Sequence, residues 1–316
     1  MIQIRGMCSP AFVALLTALC AIMVGPTSAH ATTTLKLSNA FIEANRDRVT
    51  LDATLLVDYA HDKAKSAAED GDIHIAGWSP EIGLITVAEI MNCKKEKTAL
   101  TKANDAEGRS RAVPMTGVWR IWPEHGGDHE FTQHIGGTPV PPNHQKTTNP
   151  DHIFEVHPLT FFDGIEVRDS IGHISGYDYK DAERAFHYYE NTRFHLECRI
   201  NETELTMSMV GYNYTKFDIV LNEDVSHTMQ DGGKAFKARI VNDEGETLVT
   251  EEWMILVPGT DAFDALKDAK EGNEFAVMGM PRVSLSLVKW RCDNASAKPY
   301  VLDWDIPYEM VILAVF

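Results

Sequence analysis

The chain has 316 residues, with 46 acidic against 29 basic side chains and a formal charge of −17. A field of that sign repels a nucleic-acid backbone or an anionic membrane surface unless a local basic patch reverses it, and the one modest basic run is Lys94-Lys95-Glu96-Lys97. Neutral or cationic partners fit better: a small molecule, a glycan or another protein.

The first stretch carries Arg5, an apolar run from Ala11 to Val24, then Gly25-Pro26 and the small-residue end Ala29-His30-Ala31. This is the pattern of a secretory signal peptide over residues 1–31. A membrane-spanning helix needs about 20 apolar residues, and no span is expected once the signal is removed. The mature chain is therefore expected to be secreted or periplasmic. It keeps three cysteines, Cys93, Cys198 and Cys292, an odd number and so no disulfide scaffold. Cys198 alternates with Phe194, Leu196 and Ile200 and reads as a buried thiol. Cys93 and Cys292 both follow strand ends and are the favoured pair if a disulfide forms, other pairings staying open.

In chain order, Val49 to Tyr59 reads as a first strand. Asp70-Gly71-Asp72 is a turn that opens a second, in which Ile73 and Ile75 alternate with Asp72 and His74. Leu84 to Ile90 is a third strand, and Lys94 to Arg111 has room for a short helix. Val113 to Trp122 is a fourth strand, and His152 to Leu159 a fifth. Between those two, Pro123 to Asp151 is rich in Gly, His, Pro and Asn and reads as a long exposed loop. Five strands with a helix-length insert after the third is the pattern of an OB-like barrel, although a small open sandwich has the same count. Asp178 to Asn191 reads as an amphipathic helix, with Ala182, Ala185, Phe186 and Tyr189 on one side. From Thr192 the pattern is β again, including Met280 to Arg291, interrupted by a helix over Asp261 to Lys270. The expected fold is mostly β: an OB-like barrel over 32–163, a connector with a helix over 164–191, and an antiparallel β-sandwich or barrel over 192–316.

Chemistry follows from pleat parity. If Ile73, Ile75, Phe154 and Val156 fill the barrel, then Asp72, His74, Glu155 and His157 share its outer face, two residues apart on each strand, and Glu89 can join them. Two imidazoles and up to three carboxylates suit a divalent metal, Zn or Mn, or a general acid–base pair. The plainer alternative is a solvated or interdomain hydrogen-bond network in which these groups satisfy one another and nearby backbone. His125, His129, His134 and His144 form a second polar group in the long loop. Trp119, Trp122, Trp78 and Phe131 are candidates for a stacking platform, with Arg120 beside them, against the ordinary role of strand tryptophans as core. The run His129-Glu130-Phe131-Thr132-Gln133-His134 misses the HExxH metalloprotease pattern by one residue and is rejected.

The runs DGDIHIAG, AEIMN, TGVWRIW and HIFEVHP, from Asp70 to Leu159, resemble an OB-like domain of uncharacterised secreted bacterial proteins. That resemblance implies a compartment and a fold. A fainter similarity is to the thermonucleases of the staphylococcal-nuclease family, which also place Asp-Gly-Asp on an early strand and would imply a calcium ligand at Asp72. It fails at the next step, since LITVAEI carries no arginine. The leading reading is a ligand-binding or interaction module, its ligand near His74, Glu155 and His157 or under the loop. The alternative is a metal-dependent hydrolase of phosphoesters or glycans, with His74 and His157 as ligands and Glu155 as ligand or base.

Overall fold

A computed structural model of the protein describes residues 32–109, 111–136 and 144–316. The signal peptide expected over 1–31 lies outside the described residues. Among them, no helix is long and apolar enough to cross a membrane.

The first barrel is built from Thr50–Ala60, Ile73–Ser79, Leu84–Ile90, Ala112–His125 and His152–Phe162. These strands are the five expected from alternation, and they pair in the order third, second, first, fourth, fifth. A parallel pairing of Val87 with Glu155 and Ala88 with Val156 closes the ring. Helix Lys97–Ala106 fills the link between the third and fourth strands. This is the OB connectivity. Ile73, Ile75, Leu55, Val113 and Val156 are fully buried in the core, each stabilising the fold by about 1.5–3 kcal/mol. Closure also needs Gly117: a Cβ there would stand 2.7 Å from Val156 Cγ1 and 2.8 Å from Pro158 O.

The second barrel comprises Thr215–Leu221, Lys234–Val241, Thr247–Leu256, Glu274–Val283 and Tyr308–Val315. Its ring runs first, fourth, fifth, third, second and back to the first. The third and fifth strands again run parallel, Ile255 opposite Val311, and the helix between third and fourth is Asp261–Leu266. Of the two architectures expected for this half, it is the barrel, and its connectivity repeats that of the first.

A third sheet joins the two halves in the order Tyr300–Asp305, Arg193–Cys198, Glu202–Ser208, Thr32–Ser38, Phe131–Ile135. Here several sequence expectations are corrected. Part of the supposed loop is a strand, because Phe131–Ile135 lies parallel to Thr32–Ser38. Gln133 fastens it further by accepting the Ile153 and Phe154 amides at 2.7 and 3.1 Å. Leu285–Asp293 is a helix rather than the end of a strand. The helix expected from Asp178 begins at Ala182, where Asp181 caps it by accepting the Arg184 amide. The disulfide joins Cys198 to Cys292, and Cys93 is a free, buried thiol. Cys198 ends a strand of the shared sheet and Cys292 lies in helix Leu285–Asp293, whose Cα atoms come within 5.5 Å, inside the reach of a disulfide. Ile200, assigned to the same face as Cys198, lies past the strand end and is exposed.

The barrels are fastened by two buried arginines, each on the fourth strand of its own barrel. Arg120 donates from Nε to Pro281 O at 3.0 Å. Arg282 donates to Val49 O at 3.0 Å and Trp119 O at 3.3 Å, pairs with Glu309 at 2.7 Å, and stacks 3.7 Å over the Trp119 ring. Trp119 and Trp122 are both buried. Trp119 donates to Arg48 O at 2.8 Å and Trp122 packs edge-on to Tyr189. Neither presents a face for ligand stacking, which corrects their assignment as a platform; they are core and junction residues.

Candidate metal centre

The outer face of the first barrel's second, third and fifth strands does not meet solvent. It is covered, and Asp72, His74, Glu89, Glu155 and His157 are each at most 3% exposed. Strand alternation places Glu155 and His157 on one face, and register places His74 directly opposite Glu89. The parallel closure sets Glu155 level with Val87, so the third strand brings Glu89 into the middle of the group.

Two further histidines arrive that the sequence pattern did not single out as partners of this group. His125, at the end of the fourth strand, and His152, at the start of the fifth, stand opposite each other in register. Their rings stack with centroids 4.8 Å apart. One donor atom each from Glu89, His125, His152 and Glu155 lie within 4.8 Å of one another, as do donors from Asp72, Glu89 and His157. The signal available in the sequence was His152-x-x-Glu155-x-His157 itself. His125 was hidden by its grouping with loop residues. The other three of that grouping lie apart from the cluster, each facing a carboxylate: His129 with Asp151 at 3.4 Å, His134 with Glu202 at 2.9 Å, and His144 with Asp58 at 2.7 Å.

His157 is the most thoroughly bonded member. Nδ1 lies 3.3 Å from Glu155 Oε1 and 3.4 Å from Glu89 Oε2. Nε2 lies 2.6 Å from the Tyr214 hydroxyl, which donates to Asp72 Oδ2 at 2.7 Å. Asp72 Oδ1 accepts the Asn92 amide at 3.0 Å, so both oxygens of the residue that the thermonuclease similarity made a calcium ligand are engaged. Burial works against a charged His157 ring, but Glu89, Asp72 and Glu155 outweigh it and hold its pKa well above the usual range.

Glu155 is likewise buried, which by itself would raise its pKa. Arg120 Nη1 at 2.5 Å, with hydrogen bonds from His152 and His157, holds it well below the ordinary value. Its other oxygen, Oε2, is 3.1 Å from His152 Nε2. Glu89 differs: burial pushes its carboxyl well above the usual range, and the neighbouring His157 only partly offsets that. Its Oε1 is buried without a hydrogen bond. His74 Nε2, 3.3 Å from it, accepts from the Lys65 ammonium at 2.8 Å and has no proton to offer. His74 is thereby kept neutral, burial and then Lys65 depressing its pKa, and it belongs to neither set of mutually close donors.

His125 is half-buried, and no hydrogen bond reaches its ring among the described residues; burial lowers its pKa. A row of imidazoles leads outward from it. His125 lies 6.4 Å from His74 by ring centroid, and His74 stacks on His61 at 4.9 Å. His61 and Lys65 in turn line a surface cavity of about 580 Å³. Chemically, the set is two neutral-capable imidazoles and two carboxylates with one oxygen unpartnered, a donor composition suited to Zn²⁺ or Mn²⁺.

No protein-family model matches the chain and no curated protein matches it. Solved structures that align with it include the wild-type single-stranded DNA binding protein from Thermus aquaticus, at 8% identity and TM-score 0.21, over 85% of this chain and 90% of that one. A deletion mutant of the same protein aligns at 10% identity and TM-score 0.20, covering 85% and 92%. A structure described as "Structural mimicry for functional antagonism" aligns at 7% identity and TM-score 0.17, covering 85% and 98%. Similarity at this level carries nothing about ligands or activity.

Proposed function

We infer that this chain is an exported ligand-binding protein whose ligand, at the cluster between the barrels, is a divalent transition-metal ion. The observation that carries the reading is Glu89 Oε1, a buried carboxyl oxygen without a hydrogen bond, in the set with His125, His152 and Glu155. Leaving a buried polar group unsatisfied costs about 1–3 kcal/mol. An ion at the four donors removes that cost and uses the free nitrogens of His125. Export is supported by the signal-peptide pattern of residues 1–31 and by the Cys198–Cys292 disulfide, since such bonds persist in oxidising compartments. The net charge of −17 favours cations over nucleic acid as partners.

The test is metal analysis of protein purified without chelator, followed by Zn²⁺ or Mn²⁺ titration of stripped protein. Bound metal in stoichiometric amount is expected, and Glu89→Gln or His152→Ala should weaken it by more than the ~10–100-fold typical of an outer-shell change. A metal-free protein that takes up neither ion, with thermal stability indifferent to chelator, overturns the reading. Turnover of a phosphoester or glycan by the loaded protein would extend it to the hydrolase named as the alternative.

A further inference from the structure

The cluster holds more donors than one ion needs. Glu155 turns Oε2 to His152 at 3.1 Å and Oε1 to His157 Nδ1 at 3.3 Å. Glu89 turns Oε2 to the same His157 Nδ1 at 3.4 Å and leaves Oε1 without a hydrogen bond. Donors at the 2.0–2.2 Å of a zinc ion stand about 3.4 Å apart when arranged tetrahedrally, so His157 Nδ1 stands from each of the two carboxylate oxygens at the separation of two ligands on a common cation, which would take the place of the Nδ1 proton. The far side of His157 carries the support that a ligating imidazole uses: Nε2 to the Tyr214 hydroxyl, and Tyr214 to Asp72.

We propose that the cluster is a dinuclear centre, one divalent ion on His125, His152, Glu89 and Glu155 and a second on His157 Nδ1, with Glu89 and Glu155 bridging the two. The proposal rests on the metal-binding reading above. Each bridging carboxylate has one oxygen on the His157 side, and Glu155 has its other on the His152 side. Arg120 remains on Glu155 Oε1, since a carboxylate oxygen has a lone pair for each partner. Ions bridged in this way stand about 3.5–4 Å apart and clamp an oxygen ligand between them. The ligand class is therefore a small bridging oxyanion, with hydroxide and inorganic phosphate as its simplest members.

The experiment is Mn²⁺ titration of the full, chelator-stripped chain, read by bound metal and by electron paramagnetic resonance. Two ions per chain are expected. The first should give the six-line spectrum of an isolated ion, and that signal should lose intensity through exchange coupling as the second binds. His157→Gln should stop at one ion and keep the uncoupled spectrum; should that variant fail to fold, the wild-type stoichiometry and coupling decide alone. One ion per chain at saturation, or two that stay uncoupled, overturns the dinuclear centre and leaves the single-ion reading standing. No binding at all overturns both.

Discussion

His125 and His152 lie face to face across the last two strands of the first barrel, ring centroids 4.8 Å apart and planes 26° from parallel. They are distant in sequence, and antiparallel pairing alone puts them in register. Neither contributes to the barrel's apolar interior, and no hydrogen bond reaches the His125 ring among the described residues. Both nitrogens of His152 have partners, Pro150 O at 2.7 Å and Glu155 Oε2 at 3.1 Å, so His125 is the unbonded member of the pair.

His125→Ala separates binding from folding. It should abolish tight metal binding, yet shift the midpoint of urea unfolding of stripped protein by less than about 1 kcal/mol, because a half-buried ring without hydrogen bonds is all that is lost. A large loss of stability in the metal-free variant would mean that the ring is structural.

Arg282→Met tests the junction between the barrels. The substitution strands Glu309, now paired at 2.7 Å and buried, and takes donors from the carbonyls of Val49 and Trp119. Removing one partner of a buried pair costs about 3–5 kcal/mol. Chemical denaturation should show that loss, and Arg282→Met with Glu309→Leu should recover part of it.

The Cys198–Cys292 bond closes a loop of 94 residues. Cross-linking a loop of that size stabilises by about 4.7 kcal/mol through the unfolded chain. Cys198→Ser or reduction should lower stability by an amount of that order, while the cost of Cys93→Ser, a hydroxyl placed at a buried site, should be the same under oxidising and reducing conditions.

Glu252 supplies a pH dependence. Burial, with the charges of Glu190 and Glu309 adding to it, raises its pKa to about 8. The folded protein then holds a proton that the unfolded chain releases near its ordinary value of 4.5, so stability falls as pH climbs between those two values and levels off above the higher. Melting temperatures at pH 5 and pH 9 should show a smaller alkaline loss for Glu252→Gln than for the wild type. Equal losses would place the dependence elsewhere.

Much of the first barrel was legible because alternation is a local property: Ile73 and Ile75, or Phe154 and Val156, declare their face through neighbours two residues away. The same parity set Asp72, His74, Glu155 and His157 on the other face. It could not show that this face is covered, because the cover is distant in the chain: Tyr214 and Pro281 belong to the second half. Nor could it show that Trp119 and Trp122 face a neighbouring element rather than solvent, since a strand's outer face reads alike in either case. The Thr32–Ser38 strand and helix Leu285–Asp293 were missed because partners far away in sequence decide their state. Cysteine pairing failed for the same reason: strand-end position says nothing about which ends meet.

The sequence by itself determined the charge, the strand alternation of the first barrel, and the residue types that share its outer face, all of which depend on composition or on neighbours a few positions apart. Only the tertiary structure decided that the second half is also an OB-like barrel, that Cys198 pairs with Cys292, and that His125 and His152 complete a donor set around the buried Glu89. Those outcomes depend on registers and packings between segments far apart along the chain, where no local pattern carries the information.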